Sequence, residues 1–214
     1  MIDAGANKGD WSQKFLLSNT FAYKLLLIIE PQSIHIPSLL KLCDDSSRVV
    51  VEQIALGAAP GRLTLYADFP GSGWASLYQR DLGHVDAEMS PQENVEVVTL
   101  DQLTKKHLIN HIAFLKLDLE GHELEALKGA RELLDTKNID ALTFEFGGCN
   151  IDSRTYIKDF WSMLVDQHQF VFYRLLPKRR LKRLSKYSEC HEQFCWQNIL
   201  ACAPGITPNW KVLD

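Results

Sequence analysis

The chain opens Met1-Ile2-Asp3-Ala4-Gly5-Ala6-Asn7-Lys8-Gly9-Asp10-Trp11, and this stretch decides the fold class. A short apolar run ends at Gly5-x-x-x-Gly9 and leads into a segment able to form a helix. Glycines at such a turn permit positive φ and close backbone approach. The helix that follows presents unpaired N–H groups, and the positive end of its dipole, to a negatively charged group. Glu30 then appears in Ile28-Ile29-Glu30-Pro31. Its distance from the turn matches the roughly 20-residue offset at which a carboxylate meets a ribose diol in nucleotide-binding βαβ units. Pro31 ends the second strand and leaves Glu30 at its carboxyl edge. Two glycines alone would be weak evidence, but turn, helix and spaced acid together predict a nucleotide-type ligand.

Asp3 narrows the choice of ligand. A dinucleotide would set a pyrophosphate against this turn, where a carboxylate repels it. S-adenosylmethionine instead brings an ammonium, a sulfonium and a single carboxylate, the last suited to the helix N-terminus. The expectation is the methyl donor over NAD; a merely turn-stabilising Asp3 is the competing explanation.

Outward from the turn, apolar runs recur at 2–4, 23–29, 49–56, 112–119, 139–146, 170–176 and 197–203. Near-continuous apolar runs fit parallel strands covered on both faces. Between them, 120–134 places Leu124, Leu127, Ala130 and Leu134 on one helical stripe. Residues 154–167 place Ile157, Phe160, Trp161, Leu164 and Val165 on another. Pro37 suits the start of a further helix ahead of Leu39, Leu40 and Cys43. Strand–helix alternation implies an α/β, doubly wound sheet with right-handed crossovers. Residues 58–98 read as a β-rich insertion after the third strand, with extended pieces at 62–67 and 95–100 around a Gly-rich middle. The basic stretch 177–186, PKRRLKRLSK, reads as a connection between the last two strands, which lack an intervening helix and are expected to pair antiparallel. No repeat or linker interrupts the chain, so 1–214 is expected to be a single domain.

Composition excludes several classes. The 214 residues are 46% apolar with a net charge of -4, which offers no general attraction to nucleic acid or an anionic membrane. No apolar run approaches the ~18–20 residues of a transmembrane helix, and Asp3, Lys8 and Asp10 interrupt any secretory pattern. Five cysteines at irregular spacing argue against a disulfide framework and for a cytoplasmic protein. The Cys190–Cys195 string lacks a second ligand pair, so no structural zinc is expected.

The second informative string is Phe114-Leu115-Lys116-Leu117-Asp118-Leu119-Glu120-Gly121-His122-Glu123. Doubly wound sheets bind ligands outside the carboxyl ends of their strands, where strand order reverses. Asp118 is expected there, beside the Gly-rich turn, and Glu145 ends the next strand. Methyl transfer to oxygen is an in-line displacement from an already activated sulfonium, so the protein must align the acceptor and handle its proton. An aliphatic hydroxyl needs a base or a metal to react. Asp118 is therefore the expected positioning group or base, His122 the second candidate and Glu145 the third. Against these stand a helix-capping Asp118, a packed His122, and a Glu145 paired structurally with Lys116. Two oxygen ligands make a weak metal site, so metal is left unassigned.

These residues resemble the FkbM family of S-adenosylmethionine-dependent methyltransferases. The carriers are DAGANKGDWS at 3–12, Ile29-Glu30-Pro31, Ala55-Leu56-Gly57 with Gly61, Leu65 and Tyr66, and TLDQL at 99–103. To these add FLKLDLEGHELEALKGA at 114–130, FEFGG at 144–148, YRLLP at 173–177, and Tyr187, Glu192 and Asn198. The resemblance implies a class I methyltransferase (Rossmann-like) sheet of seven strands, the last antiparallel. It implies donor binding by the Gly5–Gly9 turn, ribose binding by Glu30 and adenine contacts near Ile54. The candidate donor set is Asp3, Gly5, Asn7, Gly9, Trp11, Glu30, Pro31, Ile54, Ala55 and Asp118. The implied reaction is O-methylation of a small or sugar-like acceptor: a saccharide, glycan or natural product. A non-catalytic donor-binding subunit is the alternative; an NAD-dependent oxidoreductase is disfavoured by Asp3 and by the lack of an identifiable tyrosine–lysine pair. Related chains usually carry a segment before the first strand, so the expectation is either a trimmed version of the family or cover supplied by another subunit, as in a homo-oligomer. The basic run could attract an anionic acceptor or be a solvated loop. Trp74, Tyr78 and Trp11 could stack on a ligand or simply pack, and 71–77 could close as a lid.

Overall fold

A computed structural model describes residues 1–18, 22–43 and 47–213. In chain order its strands are β1 (Ile2–Ala4), β2 (Leu26–Ile29), β3 (Val49–Glu52), β4 (Ala55–Leu56), β5 (Gly61–Ala67), β6 (Ser90–Val98) and β7 (Leu115–Leu117). They continue with β8 (Ala141–Phe146), β9 (Val171–Leu176), β10 (Arg180–Leu184), β11 (Gln197–Cys202) and β12 (Lys211–Leu213). The helices are α1 (Asp10–Ser18), α2 (Ile36–Leu40), α3 (Leu100–Lys106), α4 (Glu123–Lys128), α5 (Arg131–Asp135), α6 (Cys149–Ser153) and α7 (Ile157–Phe160). A π-helical stretch, Trp161–Gln167, continues α7.

The main sheet has nine strands in the order β12-β10-β9-β11-β8-β7-β1-β2-β3. From β3 to β8 every pairing is parallel, and β11 runs antiparallel to both β8 and β9. Seven strands were expected; the other two come from residues read as connection or not read at all. The basic stretch 177–186 is not a loop. Lys178 and Arg179, both at positive φ, turn the chain so that β10 pairs antiparallel with β9. In Arg180-Leu181-Lys182-Arg183-Leu184 the two leucines, three positions apart, are buried on opposite faces of the strand, while Lys182 and Arg183 between them stay exposed. β12 adds in parallel on β10.

The apolar run at 49–56 splits. β3 joins the main sheet, whereas β4 joins a separate three-stranded sheet ordered β4-β6-β5. The predicted helix over 120–134 also divides, into α4 and α5, where Gly129 meets the Gly57 carbonyl so closely that an added Cβ would lie 2.1 Å from its oxygen. One face of the main sheet carries Ala4, Ile29, Leu117, Phe144 and Ile199 against Leu127, Phe160 and Leu164 of the helices. Phe144 and Phe160 stack with centroids 4.3 Å apart. The other face packs Leu26, Ile28 and Val49 beneath Trp11, Phe15 and Leu39. Gly9 lets α1 approach α2, since a Cβ there would lie 2.7 Å from a Leu39 methyl. Among the described residues no helix is long and apolar enough to cross a membrane.

Candidate active site

Register brings the expected acids onto one line. Ala4 pairs with both Ile29 and Leu117, and Leu117 pairs with Phe144. One residue further, past the last paired position, Glu30, Gly5, Asp118 and Glu145 therefore share a rung across β2, β1, β7 and β8. The ladder bonds continue to it, since the N–H groups of Gly5 and Asp118 donate to the Ile29 and Ala4 carbonyls at 3.0 Å. Asn198 of β11 pairs directly with Glu145 and extends the line. Three strand spacings of about 4.8 Å put Glu30 and Glu145 at opposite ends of a crevice roughly 14 Å long. The crevice spans the β1–β7 boundary, where strand order reverses.

Asp3 is fully buried and held by side chains. Ser12 Oγ donates to it at 2.6 Å and Lys116 Nζ at 3.1 Å. Lys116 also reaches Asp118 at 3.1 Å, so it is shared by two carboxylates and does not pair with Glu145 as the strand parity had suggested. Burial pulls its ammonium pKa down, but Asp3 and Asp118 outweigh that and hold it above the usual lysine range. Glu30 accepts the Asn7 N–H at 2.7 Å and the Gln32 N–H at 2.9 Å. Burial raises its pKa, and those amides oppose the rise.

At the other end of the crevice the carboxylate oxygens of Asp118, Glu120 and Glu145 lie within 4.8 Å of one another. Burial, then the charges of Glu120 and Asp118, push Glu145 well above the carboxylate range, and the neighbouring Trp196 side chain works the other way. Glu120 is pushed up to about 7, chiefly by burial, although Arg80 sits 2.6 Å away and opposes it. Three such oxygens can hold a proton between them, or offer ligands to a hard divalent cation.

The loop that presents these acids is shaped from below by Glu123. This fully buried carboxyl accepts the Leu119 N–H at 2.7 Å and the Gly121 N–H at 3.1 Å, while Glu120 turns at φ +50°. Burial pushes its pKa up to about 7 from an ordinary value of 4.5. Between those values the folded chain keeps a proton that the unfolded chain releases. Stability from this group is therefore full below about pH 4.5 and lost as pH rises through about 7, by a total of about 3 kcal/mol. Glu123→Gln removes the titration and keeps one oxygen for the amides. The difference in Tm between pH 6 and pH 8 should shrink in the variant; an unchanged difference would show that Glu123 does not titrate there.

Two expected site residues lie elsewhere. His122 is buried against Tyr78, ring centroids 5.4 Å apart, and its Nδ1 lacks a protein partner. Burial lowers its pKa to about 4, and the charges acting on it are Glu125 and Lys128, not the acids of the cluster. It is a neutral packed imidazole. Trp11 stacks between Phe15 and Phe114, and Phe114 lies before β7, at the amino end of the strands. Its ring therefore sits toward the amino end of the strands, away from the crevice. Ile54 and Ala55 bury their side chains in two different clusters, leaving mainly backbone at that turn for a ligand.

The insertion crosses the crevice. The Ser72 carbonyl accepts from Asn7 Nδ2 and Gln32 Nε2 at one end, and Ser76 Oγ donates to the Glu120 carbonyl at the other. Arg80 completes the attachment by contacting Glu120 and, at 3.5 Å, Asp152. Sequence reasoning missed Arg80, Glu120, Glu123 and Trp196. Glu120 and Glu123 stood inside the acidic string, but only loop geometry separates the acid of the cluster from the fully buried one beneath it; Arg80 and Trp196 carried no local signal.

A family model for the methyltransferase FkbM domain matches residues 3–172. Among solved structures the chain is similar to Methyltransferase FkbM from Methylobacillus flagellatus KT, with a TM-score of 0.55 and 17% identity over 94% of this chain. At that identity the likeness is one of fold, and this chain spans 42% of that protein's length. No curated protein matches the chain.

Proposed function

The chain belongs to the FkbM methyltransferase family, and on that premise we propose that it is an S-adenosylmethionine-dependent O-methyltransferase acting on a hydroxyl of a small or sugar-like acceptor. The observation that carries this is the shared rung: a ribose-type carboxylate at Glu30, a glycine where β1 meets β7, and paired acids at Asp118 and Glu145. The residues fit the donor. Glu30 spends two backbone hydrogen bonds and keeps acceptor capacity for a diol. The α1 N-terminus lies beside the same turn for a carboxylate. Asp3, tied to Ser12 and Lys116, orients the turn and leaves direct contact with the ligand to its neighbours.

When bound, the donor supplies an activated methyl group on sulfur. The chain's own task is to align a hydroxyl and receive its proton. Asp118, anchored by Lys116, faces the crevice with its side chain 38% exposed. Glu145 keeps its proton near neutrality, with its carboxyl oxygen within 4.8 Å of one of Asp118. A carboxyl whose proton affinity is raised beside a second carboxyl group lets the pair divide the roles of donor and base. Asp118 takes the hydroxyl proton, and Glu145 holds the acceptor oxygen or Asp118 in line.

Isothermal titration with S-adenosylmethionine and, separately, NAD tests the donor. Glu30→Ala should weaken donor binding by roughly 1–3 kcal/mol, the scale for hydrogen bonds to a charged group. Unchanged affinity would mean the ribose lies elsewhere. Labelled donor offered to sugars, nucleotide sugars and glycans, with mass spectrometry of the product, tests the acceptor. Donor binding with no turnover on any of them would favour a non-catalytic subunit.

A further inference from the structure

Trp196 has an unusual place. Its side chain is 74% exposed, yet it immediately precedes β11. Gln197 pairs with Phe146, which sets Trp196 opposite Gly147, two residues past Glu145. Gly147 gives it room: an added Cβ would come within 3.3 Å of the Trp196 backbone. By that register Trp196 lies on the same face of the sheet as Asn198 and its partner Glu145, and its exposed ring stands open beside the acids. A second exposed indole, Trp74 at 44%, rides on the insertion segment between Ser72 and Ser76.

An indole left open beside polar groups joins an apolar face to a wet edge, the combination for which tryptophan is enriched at interfaces. An indole presents a flat, electron-rich face, which attracts the positively polarised C–H groups on the apolar face of a ring that carries hydroxyls at its edge. A ring seated on that face brings its edge to the end of the crevice where Asp118, Glu120 and Glu145 gather within 4.8 Å of one another. We propose that Trp196 is the acceptor platform, and that it selects a rigid hydroxylated ring with one apolar face, such as a pyranoside, over an open-chain polyol. This rests on the methyltransferase reading above.

The test uses isothermal titration of the full chain saturated with S-adenosylhomocysteine, the demethylated and unreactive form of the donor. Methyl α-L-rhamnopyranoside and methyl α-D-mannopyranoside are the ring probes, and mannitol is the open-chain control. Wild type should bind a glycoside more tightly than mannitol. Trp196→Ala should lose on the order of tenfold in glycoside affinity, whereas Trp196→Phe, which keeps a ring but no N–H, should retain most of it. Affinity for S-adenosylhomocysteine should be the same in all three, showing that the variants are folded. Equal glycoside affinity in wild type and Trp196→Ala, or no glycoside binding by wild type that binds S-adenosylhomocysteine, would overturn the platform and leave the donor reading standing. Failure of wild type to bind S-adenosylhomocysteine would overturn both.

Discussion

Gly5→Ala should leave little folded protein. The added methyl carbon would lie 1.8 Å from the Asp118 carbonyl oxygen and 2.7 Å from its carbon, and Gly5 sits at φ +76°. The obstacle is backbone on the neighbouring central strand, so no side-chain rotation relieves it. β1 and β7 are locked by parallel neighbours on both sides, and parting them breaks the ladder at the crevice. Strain of this kind belongs with the rare substitutions that cost more than about 4 kcal/mol. Soluble yield and thermal melting by circular dichroism are the measurements. Gly61→Ala is the control, since nothing lies within 4 Å of a Cβ there; it should melt close to wild type. A Gly5→Ala chain that melts near wild type would show that β1 and β7 do not meet in this register.

Asp118→Asn should abolish most turnover while sparing the fold and the donor. The carboxamide is nearly the same size, Lys116 keeps its contact with fully buried Asp3, and the backbone N–H of residue 118 still bonds Ala4. What disappears is the group able to take a proton. Loss of a positioned general base costs roughly 10²–10⁴-fold in rate. With the acceptor found by the labelled-donor screen, kcat should fall on that scale, with the dissociation constant for S-adenosylmethionine held within a few-fold. Parallel loss of turnover and donor affinity would assign Asp118 a role in holding the turn instead.

Much of this site was visible in the order of residues. Gly5, Glu30, Asp118 and Glu145 each stand where an apolar run stops, and parallel strands place such ends along a single edge. His122 and Trp11 show the limit of that logic. Both lie in or beside the same motifs, but whether a residue at the start of a helix faces the crevice or the core depends on the angle at which the helix leaves its strand. His122 turned inward under Tyr78, and Trp11 turned toward Phe114 at the opposite end of the sheet. The basic stretch failed for another reason. Its charges masked two leucines, one buried on each face of the strand, and a positive-φ turn at Lys178 and Arg179 has no signature in residues of that type.

Local order along the chain therefore determined the sheet's parallel core, the Gly-rich turn and the acids at strand ends, because hydrophobic period and strand termination are short-range properties. Tertiary structure alone decided which charges meet. Lys116 bridging Asp3 and Asp118, Arg80 reaching Glu120 from the insertion, and Trp196 standing over Gly147 are contacts between segments up to 113 positions apart. They are set by strand register and by which backbone can approach which, and proton affinities in the crevice follow from that packing, since burial and neighbouring charge both depend on distance in space rather than along the chain.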